Sequence, residues 1–351
     1  MSRTDKLATR DLEIVDIINE TPDTRSFVLK TADGGALEYK AGQFLTFVFK
    51  RLHGKEVRRS YSISSCPDLN EPLTVTVKRI PNGEISRILM EKTHPGDRLT
   101  TIGASGFFVL PENPENYRRI VFIAAGSGIT PVFSLLKSVM HSHPHIEALL
   151  VYSNKNVKHT IFHDELHRLQ KAYAHRLIVE YLFSSLHDVS RSRLTPDILA
   201  HILGHRQVNN FATTLFYICG PGDYMRMANI ALISFGVPLK NIKREIFHVQ
   251  QPALTPEPPD KQAHNVQLYI NGDEFSFNVQ YPITILQAAK LLHVPVPFSC
   301  ETGQCGTCVA KCLHGKVWMA RNEVLLEEEI EGGQVLTCTG FPVGGDVAIK
   351  I

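Results

Sequence analysis

No run in this sequence approaches the roughly 18 to 20 apolar residues that a membrane-spanning helix requires, and the opening MSRTDKLATRDLEIV lacks the unbroken apolar core of a secretory leader. The expectation is a chain with no membrane span and a cytoplasmic location, where thiols stay reduced. An excess of one charge is lacking as well: 37 Lys and Arg against 35 Asp and Glu leave +2. That balance gives no polyelectrolyte signal and no reason to expect nucleic acid as a partner. Cysteine is sparse, and its odd total of seven argues against a complete disulfide framework. No internal repeat is present. What the chain has is length: 351 residues at 43% apolar composition exceed one comfortable core, so two or three domains are expected.

The texture changes twice. Residues 1–113 read as short strands (DLEIVDIINE, TRSFVLKT, QFLTFVFK, RRSYSISS, LTVTVKRI) separated by glycine, proline and asparagine, the pattern of an antiparallel β-barrel or sandwich. Residues 114–250 alternate apolar strands such as RRIVFIAAG, IEALLVYSN, LIVEYLFS and TLFYICG with helical stretches such as ITPVFSLLKSVMH and HDELHRLQKAYA. That alternation predicts an α/β domain with a parallel sheet. Residues 251–262, QPALTPEPPDKQ, hold four prolines and read as a semi-extended linker. Residues 263–351 carry nine acids and five bases, a formal −4 that leaves +6 on the rest.

Four of the seven cysteines, Cys300, Cys305, Cys308 and Cys312, crowd into FSCETGQCGTCVAKCLHG. Cys300, Cys305 and Cys308 form a C-x4-C-x2-C run that Cys338 completes 29 residues later, the plant-type [2Fe–2S] spacing. One tight loop would supply three thiolates and a distant strand the fourth. Gly303 and Gly306 suit a loop whose N–H groups must approach sulfur closely, and Thr307 could add a hydroxyl donor. The rival is zinc held locally by Cys300, Cys305, Cys308 and Cys312. The absence of paired C-x2-C modules favours the iron–sulfur reading and leaves Cys312 an inert core thiol.

In RRSYSISS, Arg59 and Tyr61 share one side of a strand and Ser62 takes the other; a cationic fork, an aromatic face and a small hydroxyl fit a flavin nucleotide. An ordinary exposed strand fits them too. Lys78 precedes Gly83, after which Ile85 and Ser86 open a helix whose free N–H groups fit a pyrophosphate, or simply an amphipathic helix after a hairpin. Gly126, Gly128, Thr130 and Pro131 follow an apolar strand, where an α/β sheet binds a dinucleotide, although proline stands in place of a third glycine. Cys219, Gly220 and Pro221 could wall a nicotinamide, though a buried cysteine there is also plain packing. Asn154 and Lys155, with Arg191 and Arg193 from VSRSRL, offer bases for a 2′-phosphate, which favours NADPH while leaving NADH open.

RRSYS, GSGITP, YICGPGDYM, GVPLKNIKREIF and CETGQCGTC…C, in this order, resemble the ferredoxin–NADP reductase superfamily, in particular its reductases with a C-terminal plant-type ferredoxin domain. Within it the likeness falls nearest the reductase component of phenylacetyl-CoA epoxidase. The resemblance implies a β-barrel FAD domain, an α/β NAD(P) domain and a β-grasp ferredoxin-like domain. It places Arg59 on the flavin phosphate, Tyr61 beside the isoalloxazine and Ser62 near flavin N5. Gly83, Ile85 and Ser86 match the flavin-pyrophosphate segment, and Gly126, Gly128, Thr130 and Pro131 the nicotinamide nucleotide loop. Cys219, Gly220 and Pro221 match the turn near the nicotinamide, Glu245 and Phe247 the segment returning to the flavin. Cys300, Cys305, Cys308 and Cys338 match the cluster ligands. Relatives often place a glycine before the arginine of RSRL, a departure that weakens Arg193.

The expected function is an NAD(P)H-dependent reductase that passes electrons through FAD and [2Fe–2S] to an oxygenase or hydroxylase, by transient contact, with phenylacetate catabolism as the setting. Another oxygenase, a soluble ferredoxin or a deoxygenation system is the alternative acceptor. A zinc-stabilised redox scaffold without turnover is the alternative of another class.

Overall fold

The computed structural model describes residues 9–50, 56–185, 192–247 and 256–351. Its first module contains β1 (Arg10–Thr21), β2 (Thr24–Thr31), β3 (Phe44–Lys50), β4 (Glu56–Ser62), β5 (Thr74–Lys78), α1 (Glu84–Lys92) and β6 (Arg98–Ser105). The strands form one antiparallel sheet in the order β4-β3-β6-β1-β2-β5. An antiparallel bridge between Ile63 and Val75 joins the two ends and closes a barrel. Its interior is Leu12, Ile14, Phe27, Leu45, Phe47 and Val75, capped by Ile85 and Leu89 of α1. The sequence reading missed β6, whose glycine at position 103 has φ +99° and interrupts the strand pattern.

The second module alternates strand and helix: β7 (Arg119–Ala125), α2 (Ile129–Ser142), β8 (Glu147–Asn154), α3 (His163–Ala172), β9 (Leu177–Phe183), α4 (Pro196–His205), β10 (Thr214–Cys219), α5 (Gly222–Ser234) and β11 (Ile242–Glu245). All five strands are parallel, in the order β11-β10-β7-β8-β9. A parallel sheet needs both faces covered, and β7 shows how. Ile120, Phe122 and Ala124 pack with α2 and α3, while Val121 and Ile123 pack with α4 and α5. These five side chains have no exposed surface, and each large one stabilises the fold by roughly 1.5–3 kcal/mol.

The third module contains β12 (His264–Ile270), β13 (Asp273–Val279), α6 (Ile285–Leu291), β14 (Val309–His314), β15 (Val317–Met319), α7 (Glu327–Glu331), β16 (Gln334–Leu336), β17 (Gly340–Pro342) and β18 (Val347–Lys350). Its mixed sheet runs β13-β12-β18-β14-β16, with β12 and β18 parallel, and β15 pairs with β17. Helix α6 packs Ile285, Leu286 and Ala289 into the core. A reciprocal cap starts it: Thr284 Oγ1 accepts from Gln287 N at 3.2 Å, and Gln287 Oε1 accepts from Thr284 N at 2.9 Å. The last part of the Pro-rich stretch belongs physically to this module. Asp260 accepts from Gly344 N at 2.8 Å and contacts His264 Nε2 at 2.6 Å, and Tyr281 Oη donates to Glu257 at 3.0 Å.

Candidate cofactor cleft and thiolate loop

Strand order in the second sheet reverses between β7 and β10, and the crevice above such a reversal is where α/β sheets take ligands. The Gly126–Gly128 turn ends β7, and Gly220 and Pro221 end β10 beside it. The two turns pack face to face: a Cβ on Gly128 would lie 2.1 Å from the Cys219 carbonyl oxygen, so only glycine fits. The first turn of α2 has no side-chain cap, which leaves its N–H groups directed at the crevice. Thr130 Oγ1 donates to Ser127 O at 2.9 Å and locks the turn, with Pro131 buried behind it.

The crevice widens into a cleft of about 500 Å³ whose walls include Asp23, Lys78, Gly126, Asn154, Lys155 and Arg193. Asn154 is buried, and its Nδ2 has no hydrogen-bond partner, an orphan donor that a bound nucleotide would satisfy. Lys78 Nζ lies 3.6 Å from Asp23. Asp23, His159 and Tyr224 also line the cleft and were missed from the sequence; Asp23 arrives from the β1–β2 hairpin of the other module, which local spacing cannot reveal. Arg191 lies outside the described residues.

On β4, Arg59 is exposed and donates to the Arg58 carbonyl at 2.8 Å, Tyr61 is half-buried 6.2 Å from the Phe47 ring, and Ser62 is buried. Burial raises the Tyr61 phenol well above its ordinary range, so it stays neutral and can offer an O–H. At α1 the N-terminus likewise lacks a side-chain cap. Ser86 Oγ donates to Gly83 O and accepts from Ile80 N, both at 3.1 Å, so its hydroxyl shapes the turn and the backbone N–H groups remain for an anion. Ile85 is buried and anchors the helix.

Cys219 and Glu245 are register partners on β10 and β11. The Cys219 thiol is fully buried and is pushed far above its ordinary value by burial, with the nearby Glu245 charge adding to this. Burial also lifts the Glu245 carboxyl to about 8; among the described residues no cation pairs with it. Phe247, 38% exposed, sits just beyond.

The predicted thiolates come together. Cys300 meets Cys305, Cys308 meets Cys338, and Cys300 also reaches Cys338. Backbone donors are aimed at sulfur: Thr302 N to Cys300 Sγ at 3.4 Å and Cys300 N to Cys305 Sγ at 3.5 Å. Thr307 Oγ1 lies 3.3 Å from Cys305 Sγ. Gly303 and Gly306 hold φ +76° and +72°, conformations that glycine alone adopts freely. Within these contacts Cys300 and Cys308 are held down because neighbouring thiols donate to them, while Cys305 and Cys338 are held up. Four thiols without a cation cannot all ionise; bound metal removes that conflict. Two sulfur pairs suit two iron atoms. Cys312 stands apart on β14, its Sγ 3.4 Å from the His314 carbonyl, so it completes no local four-cysteine site.

These three modules define an NAD(P)H-dependent flavin and iron–sulfur oxidoreductase. Residues 11–109 match the oxidoreductase FAD-binding domain family, 122–229 the oxidoreductase NAD-binding domain family and 268–343 the 2Fe-2S iron-sulfur cluster binding domain family. The ferredoxin reductase component of 3-ketosteroid-9-alpha-monooxygenase from Rhodococcus rhodochrous is 31% identical over 97% of this chain and 96% of its own. One of the subunits of 1,2-phenylacetyl-CoA epoxidase from Escherichia coli strain K12 is 30% identical over 96% of each chain. The fold also matches a solved phthalate dioxygenase reductase at TM-score 0.60 and 22% identity, over 98% of both chains. The chain belongs to the ferredoxin-reductase-type family that joins FAD-, NAD- and [2Fe–2S]-binding domains in one polypeptide. The likeness to the phenylacetyl-CoA epoxidase protein is therefore not distinctive, since the ketosteroid monooxygenase component matches as well.

Proposed function

We propose that this chain is the reductase component of an oxygenase system, drawing electrons from NADPH and handing them to the oxygenase by transient contact. One observation carries the reading: β4, which bears Arg59, Tyr61 and Ser62, touches the thiolate loop directly, with Ser60 Oγ 2.7 Å from Ser299 Oγ beside Cys300. When bound, FAD accepts a hydride and [2Fe–2S] carries electrons one at a time.

The chain's own residues bind and orient. Arg59 and the α1 N-terminus would hold the FAD phosphates, Tyr61 and Ser62 would flank its ring, and Cys300, Cys305, Cys308 and Cys338 would hold iron. The Gly126–Pro131 turn would take the nucleotide pyrophosphate, with Gly220 and Pro221 beside the nicotinamide. Glu245, its carboxyl raised to about 8, keeps a proton near neutral pH and so places no negative charge beside Cys219. Phe247 would cover the ring. Among the described residues of the cleft, Lys78, Lys155 and Arg193 outnumber Asp23, its one acid, which supports a 2′-phosphate and NADPH.

The named relatives serve a ketosteroid monooxygenase and a phenylacetyl-CoA epoxidase, two different substrates. That supports an oxygenase as acceptor and leaves the phenylacetyl-CoA enzyme as one case among several. No disulfide joins any of the seven cysteines, which suits a cytoplasmic site. An anaerobic titration with NADPH and with NADH tests the reading. Bleaching of both flavin and iron–sulfur bands, faster with NADPH, is expected; protein supplied with FAD, iron and sulfide that takes up neither, or bands that neither nucleotide bleaches, would overturn it.

A further inference from the structure

The contact between β4 and the thiolate loop is unevenly built, and one side chain dominates it. The Arg58 guanidinium lies 3.6 Å from the centre of the Phe298 ring, and its Nη1 donates to the Phe298 carbonyl at 3.0 Å, two residues before Cys300. Lys290 reaches the same ring at 4.3 Å and pairs with Glu301 at 2.8 Å. Around this anchor the interface is thin: Ser60 to Ser299, Ser105 Oγ to Thr307 Oγ1 at 3.3 Å, and Phe107 against Gly306. A Cβ on Gly306 would come within 2.5 Å of the Phe107 ring, so the loop fits there only as glycine.

Arg58 is half-buried, and among the described residues no carboxylate forms an ion pair with it; Glu56 and Glu301 act on it only at longer range. Its Nε is buried without a partner. A cation is costly to desolvate in this way unless it is paired or hydrogen-bonded. An aromatic face and a carbonyl are what compensate it, and both belong to the loop that presents Cys300. The Arg58 contact lies outside both cores: the barrel closes through Ile63 and Val75, and the third module's core, against which Phe107 of the first module also packs, contains neither Arg58 nor Ser60.

We propose that Arg58 is a positioning residue for electron transfer from flavin to cluster: it docks the thiolate loop on the strand that carries Tyr61. This rests on the reductase reading above. In the docked state Ser60, adjacent to Tyr61, bonds Ser299, adjacent to Cys300, so two hydroxyls bridge the neighbours of both redox sites.

Anaerobic stopped-flow on the full holoprotein separates the two steps. In Arg58→Gln, reduction of the flavin by NADPH should stay within about twofold of wild type, while reduction of the cluster slows by about tenfold or more, since a misplacement of about 1 Å can cost on the order of a hundredfold. The cluster's midpoint potential and its electron paramagnetic resonance signal should not move. Arg58→Lys keeps a cation for the ring and should recover part of the rate. Adding Ser60→Cys and Ser299→Cys to Arg58→Gln, then oxidising the pair to a disulfide, should restore cluster reduction, because the tether replaces the dock. Cluster reduction at the wild-type rate in Arg58→Gln would overturn the proposal, as would a tethered protein that stays slow or a shifted cluster potential. Wild-type protein whose flavin bleaches while its loaded cluster never does would overturn the reductase reading and this proposal together.

Discussion

The two joints of this molecule are made of different materials. Between the first and second modules, Phe108 is 1% exposed, packs edge-on against Tyr217 at 5.1 Å, and belongs with Ala41 to the α/β core. Tyr217 Oη donates to the Val109 carbonyl at 2.8 Å, Ser134 Oγ to the Ser65 carbonyl at 2.6 Å, and Lys137 pairs with Glu71. Between the first and third modules, among the described residues, the contacts include an arginine on a ring and its carbonyl, two hydroxyl pairs, and Phe107 packed against the third module's core. Lys243, on β11 of the second module, feels only longer-range attraction to Glu328 and Glu329 of the third. The first joint is a core continued across a boundary; the second is mostly polar around Phe107, closer to the contact of transient partners. Hydride transfer tolerates little displacement, whereas a module that must also meet an acceptor gains from a contact that salt and water can loosen.

The first joint breaks most severely through its ion pair. Glu71→Ala leaves Lys137, whose side chain is 9% exposed, without its partner and should cost about 2–3 kcal/mol. Flavin fluorescence during thermal unfolding reads this as a lowered midpoint, and Arg58→Gln should barely move the same midpoint. Equal shifts for both variants would erase the contrast.

Glu245 sharpens the comparison from within the rigid half. Its folded carboxyl titrates near 8 against 4.5 in the unfolded chain, so the folded state binds the extra proton between these values. Stability must therefore fall as pH rises from about 4.5 to about 8 and level off above that. Glu245→Gln should remove the slope and gain on the order of 2 kcal/mol at pH 8, discounted because the residue is part-exposed. Denaturant midpoints across that pH range check it; parallel curves for the two proteins would refute the assignment.

Much of this was legible in the sequence where the physics is local. Alternating strands, an apolar β7 with its glycine turn, and thiols at C-x4-C-x2-C each announce themselves within a dozen residues. What was not legible comes from elsewhere in space. Asp23 joins the cleft beside Gly126 from a hairpin about a hundred residues earlier, and Arg58 was hidden beside Arg59 because its partner, Phe298, lies 240 residues on. Strand β6 escaped because Gly103 breaks its period. Cys312 shares the cysteine-rich stretch but not the site, since its strand carries the sulfur toward the carbonyls of His314 and Gly315.

Amide hydrogen exchange at low and high salt tests the contrast between the joints most directly. In the holoprotein, exchange in β4 and in residues 298–307 should rise as salt increases, while α2 and residues 107–110 stay protected at both ionic strengths. Salt-independent protection at both joints, or loss of protection at both together, would contradict the account.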